Sequence, residues 1–327
     1  MRNLLIALGA AAALFGAQPA LQAQEQWQAY TYWGSPTVIA AKGFKKLTED
    51  IEAASDGALT MKFNLGGSLS IAGANINSAV TDDVVQFAHD AFYQGAIPGA
   101  GVVSLPFLIR GADEMAKAVD LVIPYAEAEY KKRGITLLGY YSYSPQVLFS
   151  RDVVKSLADL NGKKVRVTSP EQSDFVKAFG GTPVNLTSAD VPTALERGLV
   201  DVVLTAPSGG AMAWKELLKS SYRLEVNFPV SWIIVNSDRF ETLAPELQEK
   251  IRGIVKTETT ALTKELAGND ASLNEQLAAA GLEITEQSAE DQKAAMEKME
   301  PMWSTWAEGR GPEVVELLKS IRTTLGR

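Results

Sequence analysis

The sequence predicts an α/β protein of two sheet-based lobes, and three observations carry that prediction. Short β-type runs alternate with amphipathic helical stretches through the first two thirds of the chain, a rhythm that implies parallel strands with right-handed crossovers. At 327 residues the chain is too long for one comfortable hydrophobic core. No internal repeat, low-complexity tract or flexible linker separates two halves. The lobes are therefore expected to share strands and helices, a geometry suited to hinge closure.

The elements follow in order. Trp27 to Tyr32 reads as the first strand, and Ser35-Pro36 starts a helix with Phe44, Leu47 and Ile51 on one face. Leu59 to Phe63, Val84 to Ala88 and Ser104 to Leu108 read as further strands. Met115, Val119, Val122, Ala126 and Tyr130 are spaced for one face of a helix from Glu114 to Arg133, and strands follow at Ile135 to Tyr141 and Val147 to Ser150. A second series then begins. Strands at Lys164 to Thr168, Pro183 to Leu186 and Asp201 to Leu204 alternate with helices at Gln172 to Phe179 and from Ser188 to Arg197. After a strand at Trp232 to Val235 the chain becomes helical: Pro245 to Gly281 as one helix or two, then Glu290 to Arg310 and Glu313 to Leu325.

The N-terminus has the layout of a secretory signal peptide. Arg2 gives a positive start, Leu4 to Ala17 is apolar and uncharged, Pro19 breaks the run, and a cut after Ala23 follows. The run falls short of the ~20 residues that span a bilayer, so residues 1–23 are expected to be removed and the mature chain to be periplasmic. A chain with no cysteine has no residue to carry a lipid anchor. Loss of residues 1–23 removes only Arg2 among charged residues, so the formal charge of −8 becomes −8 − 1 = −9. An acidic chain is repelled by nucleic acid and by anionic membrane, and an anion must be held locally by one or two cations.

Catalytic sets are missing. His89 is the only histidine, which excludes His-based triads and multi-histidine metal sites. Cysteine nucleophiles, a phosphate-binding loop and a Ser-x-x-Lys motif are absent; Gly99-Ala100-Gly101 lacks the third glycine of a dinucleotide fingerprint. Binding, with no enzyme activity, cofactor or metal, is the expectation.

The informative stretch runs from Ser156 to Asp201. Alternation puts Lys164 and Arg166 on one face of a strand and Val165 and Val167 on the other. A guanidinium at a strand end facing a cleft is a natural carboxylate clamp, because its planar fork pairs bidentately; the plain alternative is a surface ion pair. Leu160, Gly162, Lys164, Arg166 and Val167 form the pattern L-x-G-x-K-x-R-V. Gly181, Pro183, Val184, Val191, Ala194, Leu195, Gly198, Val200 and Asp201 continue it, and Leu105-Pro106-Phe107 and Gly57 to Leu69 add to it upstream. In these residues the chain resembles the solute-binding proteins of TRAP transporters, the DctP family.

That resemblance implies a two-lobed, type II-like periplasmic binding protein fold, with shared hinge strands and a long C-terminal helix spanning both lobes. Lobe I is expected at 24–143 plus 232–271 and lobe II at 144–231 plus 272–327. It implies that Arg166 takes a ligand carboxylate between the lobes, and that the partners are a small organic acid and the membrane subunits of a transporter. The helical C-terminal third could pack on its own lobes or make a dimer, and a monomer is expected. Two positions depart from the family pattern. Gln146 stands where many members carry a second arginine, which favours one carboxylate over two. Thr205 stands where many carry asparagine, with Ser208 following, which implies a less polar pocket. Tyr32, Trp33, Phe92, Tyr143 and Trp232 are expected as aromatic walls, with Asp90 beside them in the loop preceding Phe92 and Tyr93. A hydroxy, keto or aromatic monocarboxylate suits such a site. His89 is expected to be structural.

Overall fold

The computed structural model describes residues 24–327. The expected signal peptide, 1–23, lies outside the described residues. In chain order the strands are β1 (Glu25–Tyr30), β2 (Leu59–Asn64), β3 (Phe87–Asp90), β4 (Ile135–Ser142), β5 (Gln146–Ser150) and β6 (Lys164–Val167). They continue as β7 (Thr182–Asn185), β8 (Val202–Thr205), β9 (Ser220–Asn227), β10 (Val230–Asn236) and β11 (Glu283–Thr285). Two sheets result, ordered β2-β1-β3-β10-β4 in lobe I and β11-β9-β5-β8-β6-β7 in lobe II. The first three strands of lobe I are parallel, as are β6, β7 and β8 of lobe II. This is the consequence expected of strand-helix-strand repeats.

Helices cover the sheets because their apolar residues recur at helical spacing. The helix Ile39–Ala54 buries Ala40, Phe44, Leu47 and Ile51 and packs on the long helix Pro245–Gly268, which also lies on β4. The helical third breaks at Asn269: Pro245–Gly268 and Asp270–Ala279 are two helices in series. The helix Ala289–Glu308 spans both lobes. Near its start Asp291 accepts hydrogen bonds from Leu157 N (2.8 Å) and Tyr222 Oη (2.6 Å) of lobe II. Near its end Trp303 Nε1 donates to Pro106 O of lobe I (3.0 Å). The last helix, Pro312–Thr324, packs on Ala112–Lys131 of lobe I, and Arg327 pairs with Glu114 of that helix. The segment 272–327, expected in lobe II, thus makes contacts with both lobes.

The chain crosses between lobes where one sheet hands over to the other. Tyr143-Ser144-Pro145 joins β4 to β5, and Phe228-Pro229 joins β9 to β10. The crossings lie side by side, with Tyr143 N donating to Pro229 O (3.0 Å). A third link runs beside them, where Ser144 Oγ donates to Leu266 O at the end of the long helix (2.8 Å).

Two local expectations change. Ser104 to Leu108 is not a strand. Pro98–Ser104 is a 3-10 helix, and Phe107 sits at φ 63; Pro106 brings no N–H to a ladder. The segment reads as apolar because it is buried, not because it is extended. Conversely, β9 carries an inward alternation of Tyr222, Leu224 and Val226 that is hidden in sequence by the polar Ser220, Ser221, Arg223 and Glu225 between and before them.

One glycine fixes the mouth of lobe I. Gly66 N donates to Trp33 O (2.9 Å), and a Cβ at Gly66 would lie 2.2 Å from Tyr32 O. Backbone meets backbone there, so neither side can rotate away. Gly66→Ala is expected to lower the thermal unfolding midpoint, at a cost of about 1–3 kcal/mol; an unchanged midpoint would show that the Tyr32–Trp33 segment moves freely.

Candidate functional site

A cleft opens where the carboxyl ends of the parallel strands of both lobes face each other, the place where open α/β sheets bind ligands. Tyr32 and Trp33 follow β1, Ala91 and Phe92 follow β3, Thr168 follows β6, Ser188 follows β7 and Ala206 follows β8. With Tyr143, Gln146, Arg166, Thr205, Gly209 and Pro229 they line a small cavity of about 40 Å³.

Arg166 dominates its chemistry. The side chain leaves the middle of β6 and is only 2 % exposed. Nε donates to Leu186 O (2.9 Å) and Nη1 to Leu204 O (3.1 Å). The guanidinium carbon lies 5.7 Å from the centre of the Trp214 ring. Among the described residues no carboxylate forms an ion pair with it. Burial pushes its pKa down to about 10, with Tyr32 and Asp190 partly opposing that, so it stays cationic at neutral pH. A buried cation held by carbonyl dipoles alone is incomplete, and an anion in the adjoining cavity completes it. Lys164, expected on the same face, lies at the exposed strand end and caps Gly198 O instead.

Gln146 adds a neutral polar group. Its Oε1 accepts from Gln172 Nε2, which also donates to Asn227 Oδ1 (3.0 Å); Gln172 Oε1 in turn accepts from Thr168 N (2.8 Å). This buried relay occupies the Gln146 oxygen and leaves its amide N–H groups for the cavity. Thr205 Oγ1 accepts from Gly210 N (3.1 Å), holding the Pro207–Ala211 turn against the cavity floor.

The facing wall is aromatic. Tyr32 packs on Trp33 (centroids 5.1 Å apart) and edge-on to Phe92 (5.2 Å). Tyr32 Oη, Tyr143 Oη and Tyr141 Oη form a chain at 2.8 and 2.9 Å, and Trp33 Nε1 donates to Tyr143 Oη (3.2 Å). The chain reaches His89, whose Nδ1 is 2.7 Å from Tyr141 Oη and whose Nε2 contacts Thr31 Oγ1. Burial pushes the His89 pKa down to about 3, so the ring is neutral.

Seven residues singled out in the sequence thus converge: Tyr32, Trp33, Phe92, Tyr143, Gln146, Arg166 and Thr205. Three do not line the cavity. Trp232, on β10, is buried between Tyr93 and Tyr140 (centroids 5.7 and 6.0 Å). Ser208 turns away to hydrogen-bond Ser144 Oγ (3.1 Å) at the hinge. Asp90 is fully buried behind Phe92, accepting from Phe92 N (2.8 Å) and Asn77 Nδ2. Strand alternation explains Asp90, the last residue of β3, because one step along a strand turns a side chain from cavity to core. Ser208 instead lies in the turn Pro207–Ala211, which points it at the hinge. Thr168, Ser188 and Ala91 were missed, though each follows the end of a strand that could be read.

The family model for "Bacterial extracellular solute-binding protein, family 7" (DctP) matches residues 30–309. The chain belongs to this family. Its members are solute receptors rather than enzymes. The chain is 26% identical over 257 residues to the 2,3-diketo-L-gulonate-binding periplasmic protein YiaO of Escherichia coli K12, covering 75% of this chain and 76% of that one. The fold is that of the Bordetella pertussis receptor DctP7, which binds pyroglutamic acid (TM-score 0.85, 22% identity, 91% of this chain and 99% of that one). It is also that of a Sulfitobacter sp. NAS-14.1 TRAP periplasmic solute-binding protein with bound β-D-galacturonate (TM-score 0.82, 20% identity, 91% and 100%).

Within this DctP-family receptor, burial of Asp90 has a measurable consequence. It pushes the carboxyl up to about 7, against hydrogen bonds from Phe92, Asn77 and Tyr130. The folded state therefore holds a proton that the unfolded chain releases near pH 3.9. Asp90 then stabilises fully below that pH, and its contribution is lost as pH rises to about 7. Asp90→Asn is neutral at every pH. Its unfolding midpoint relative to the parent protein is expected to rise between about pH 4 and about pH 7 and to level off above that; a gap constant with pH would show that Asp90 ionises as it does in water.

Proposed function

We propose that this chain is an exported periplasmic receptor that captures a small organic acid with one carboxylate and delivers it to the membrane subunits of a TRAP transporter. The carboxylate sits on Arg166, between the lobes. The observation that carries this reading is the buried guanidinium, bound by two carbonyls and no acid, opening on a cavity walled by Tyr32, Trp33, Phe92 and Tyr143. Gln146 supports a single carboxylate: it offers amide donors but no second charge. Pyroglutamic acid and galacturonate, bound by the fold neighbours, each carry one carboxylate. The signal-like N-terminus supports export.

Closure follows from the contacts. Lobe II supplies the cation and lobe I the aromatic wall, so a ligand touching both favours the closed state by its differential affinity. Titration calorimetry against pyroglutamate, benzoate, 2-oxobutanoate and succinate tests the reading. At least one monocarboxylate is expected to bind more tightly than succinate. Arg166→Lys keeps a charge but loses the fork, and is expected to weaken that binding at least about thirtyfold. Equal binding by the variant, or no binding of any acid, would sink the assignment.

A further inference from the structure

His89 is a buried group that carboxylate binding does not use, yet it ends the hydroxyl chain that reaches the cavity. The direction of that chain follows from donor counting. Thr31 Oγ1 accepts from Trp33 N (3.2 Å), and its other partner is His89 Nε2. The Thr31 proton therefore goes to Nε2, and in a neutral imidazole the remaining proton is on Nδ1. Nδ1–H donates to Tyr141 Oη at 2.7 Å. Tyr141 then donates to Tyr143 Oη at 2.9 Å, which also takes the Trp33 Nε1 proton, and Tyr143 donates to Tyr32 Oη at 2.8 Å. Ser231, paired with Tyr141 in the sheet register, makes no close hydrogen bond through its buried Oγ. Burial raises the pKa of the Tyr32, Tyr141 and Tyr143 phenols, and Ser231 lies near enough to lower each as a donor does, so it adds a proton to the chain and does not take the one on Tyr32. The Tyr32 proton is the one left over, and Tyr32 lines the cavity.

The opposite tautomer reverses every step. Tyr32 would then offer lone pairs to the cavity, and the Thr31 proton would be stranded where Thr31 is fully buried. An orphaned buried donor makes that the costlier arrangement. The neutrality of His89, enforced by its burial, keeps both ring nitrogens from donating at once.

We propose that His89 is a positioning residue that fixes the polarity of the tyrosine chain, so that Tyr32 presents a proton to the ligand and the receptor selects a carboxylate with a hydrogen-bond acceptor beside it. This rests on the carboxylate site proposed above. A 2-oxo acid fits: its carboxylate meets Arg166 and its carbonyl accepts from Tyr32. An α-amino acid does not, because its ammonium brings donors and positive charge to a site that already has both.

Because His89 is the only histidine in the chain, ring-¹⁵N histidine labelling gives a single pair of nitrogen signals. The protein alone is expected to show a neutral ring protonated at Nδ1 at neutral pH; an Nε2–H tautomer or an imidazolium would overturn the proposal. Calorimetry then compares butanoate with 2-oxobutanoate. The parent protein is expected to prefer the oxo acid by about tenfold, and Tyr32→Phe to bring the ratio of the two affinities down towards one. A preference that survives Tyr32→Phe, or an equal loss for both acids, would overturn the selection. If neither acid binds while pyroglutamate or benzoate does, the carboxylate site stands and the selection is overturned; if no acid binds, both fail, and the nitrogen spectrum still decides the direction of the chain.

Discussion

The Arg166 guanidinium is the constraint around which the second lobe is organised. A cation removed from water demands compensation. Here the backbone supplies part of it: Leu186 O follows β7 and Leu204 O lies within β8, the two strands that flank β6. The register of the parallel sheet thus fixes the fork, because the carbonyls that hold it belong to the sheet itself. Trp214 closes one side. Carbonyl dipoles hold the group in place without cancelling its charge, and the uncancelled charge faces the cleft.

The first lobe answers with neutral groups. Its wall carries hydroxyls and rings; behind it His89 is kept neutral by a lowered pKa, and the Asp90 carboxyl, pushed up to about 7, is protonated below that pH. This division matters because the lobes meet across a hinge, Tyr143 beside Pro229. Tyr143 lies at the hinge and also belongs to the hydroxyl chain. Gln146, just across the same crossing, extends the logic into lobe II through Gln172 and Asn227, again without charge.

Much of this was legible in the sequence, and the failures have physical causes. The strand-helix-strand rhythm and the apolar helix faces set the two sheets because burial imposes periodicity. Arg166 was legible through its place in the family's L-x-G-x-K-x-R-V pattern; its alternation with Val165 and Val167 fits a surface ion pair equally well. The aromatic residues after β1 and in the crossing were legible because strand ends face the cleft. Asp90 was misplaced for the opposite reason: near a strand end, one residue's difference in register reverses a side chain, and spacing alone does not fix register. Ser208 was misplaced because it lies in the turn Pro207–Ala211, not on a strand. Trp232 sits on a strand buried on both faces, where aromatic character says nothing about which side holds ligand. Thr168 and Ser188 are small, common residues whose role comes only from the convergence of three strand ends.

The net charge of the closed cavity decides what it can hold. One buried cation among neutral groups gives the cavity a charge of plus one. A monoanion cancels it, and the ion pair is then satisfied by the carbonyls on one side and ligand oxygen on the other. A dianion would leave one negative charge buried against aromatic rings and a glutamine amide, a state as costly as the cation alone. A zwitterion would place its own cation beside Arg166. On the proposed reading, charge count alone disfavours both, before any shape is considered. The neutral wall then acts on a different property of the ligand. Hydrogen-bond direction, which charge cannot specify, distinguishes among the monoanions that remain.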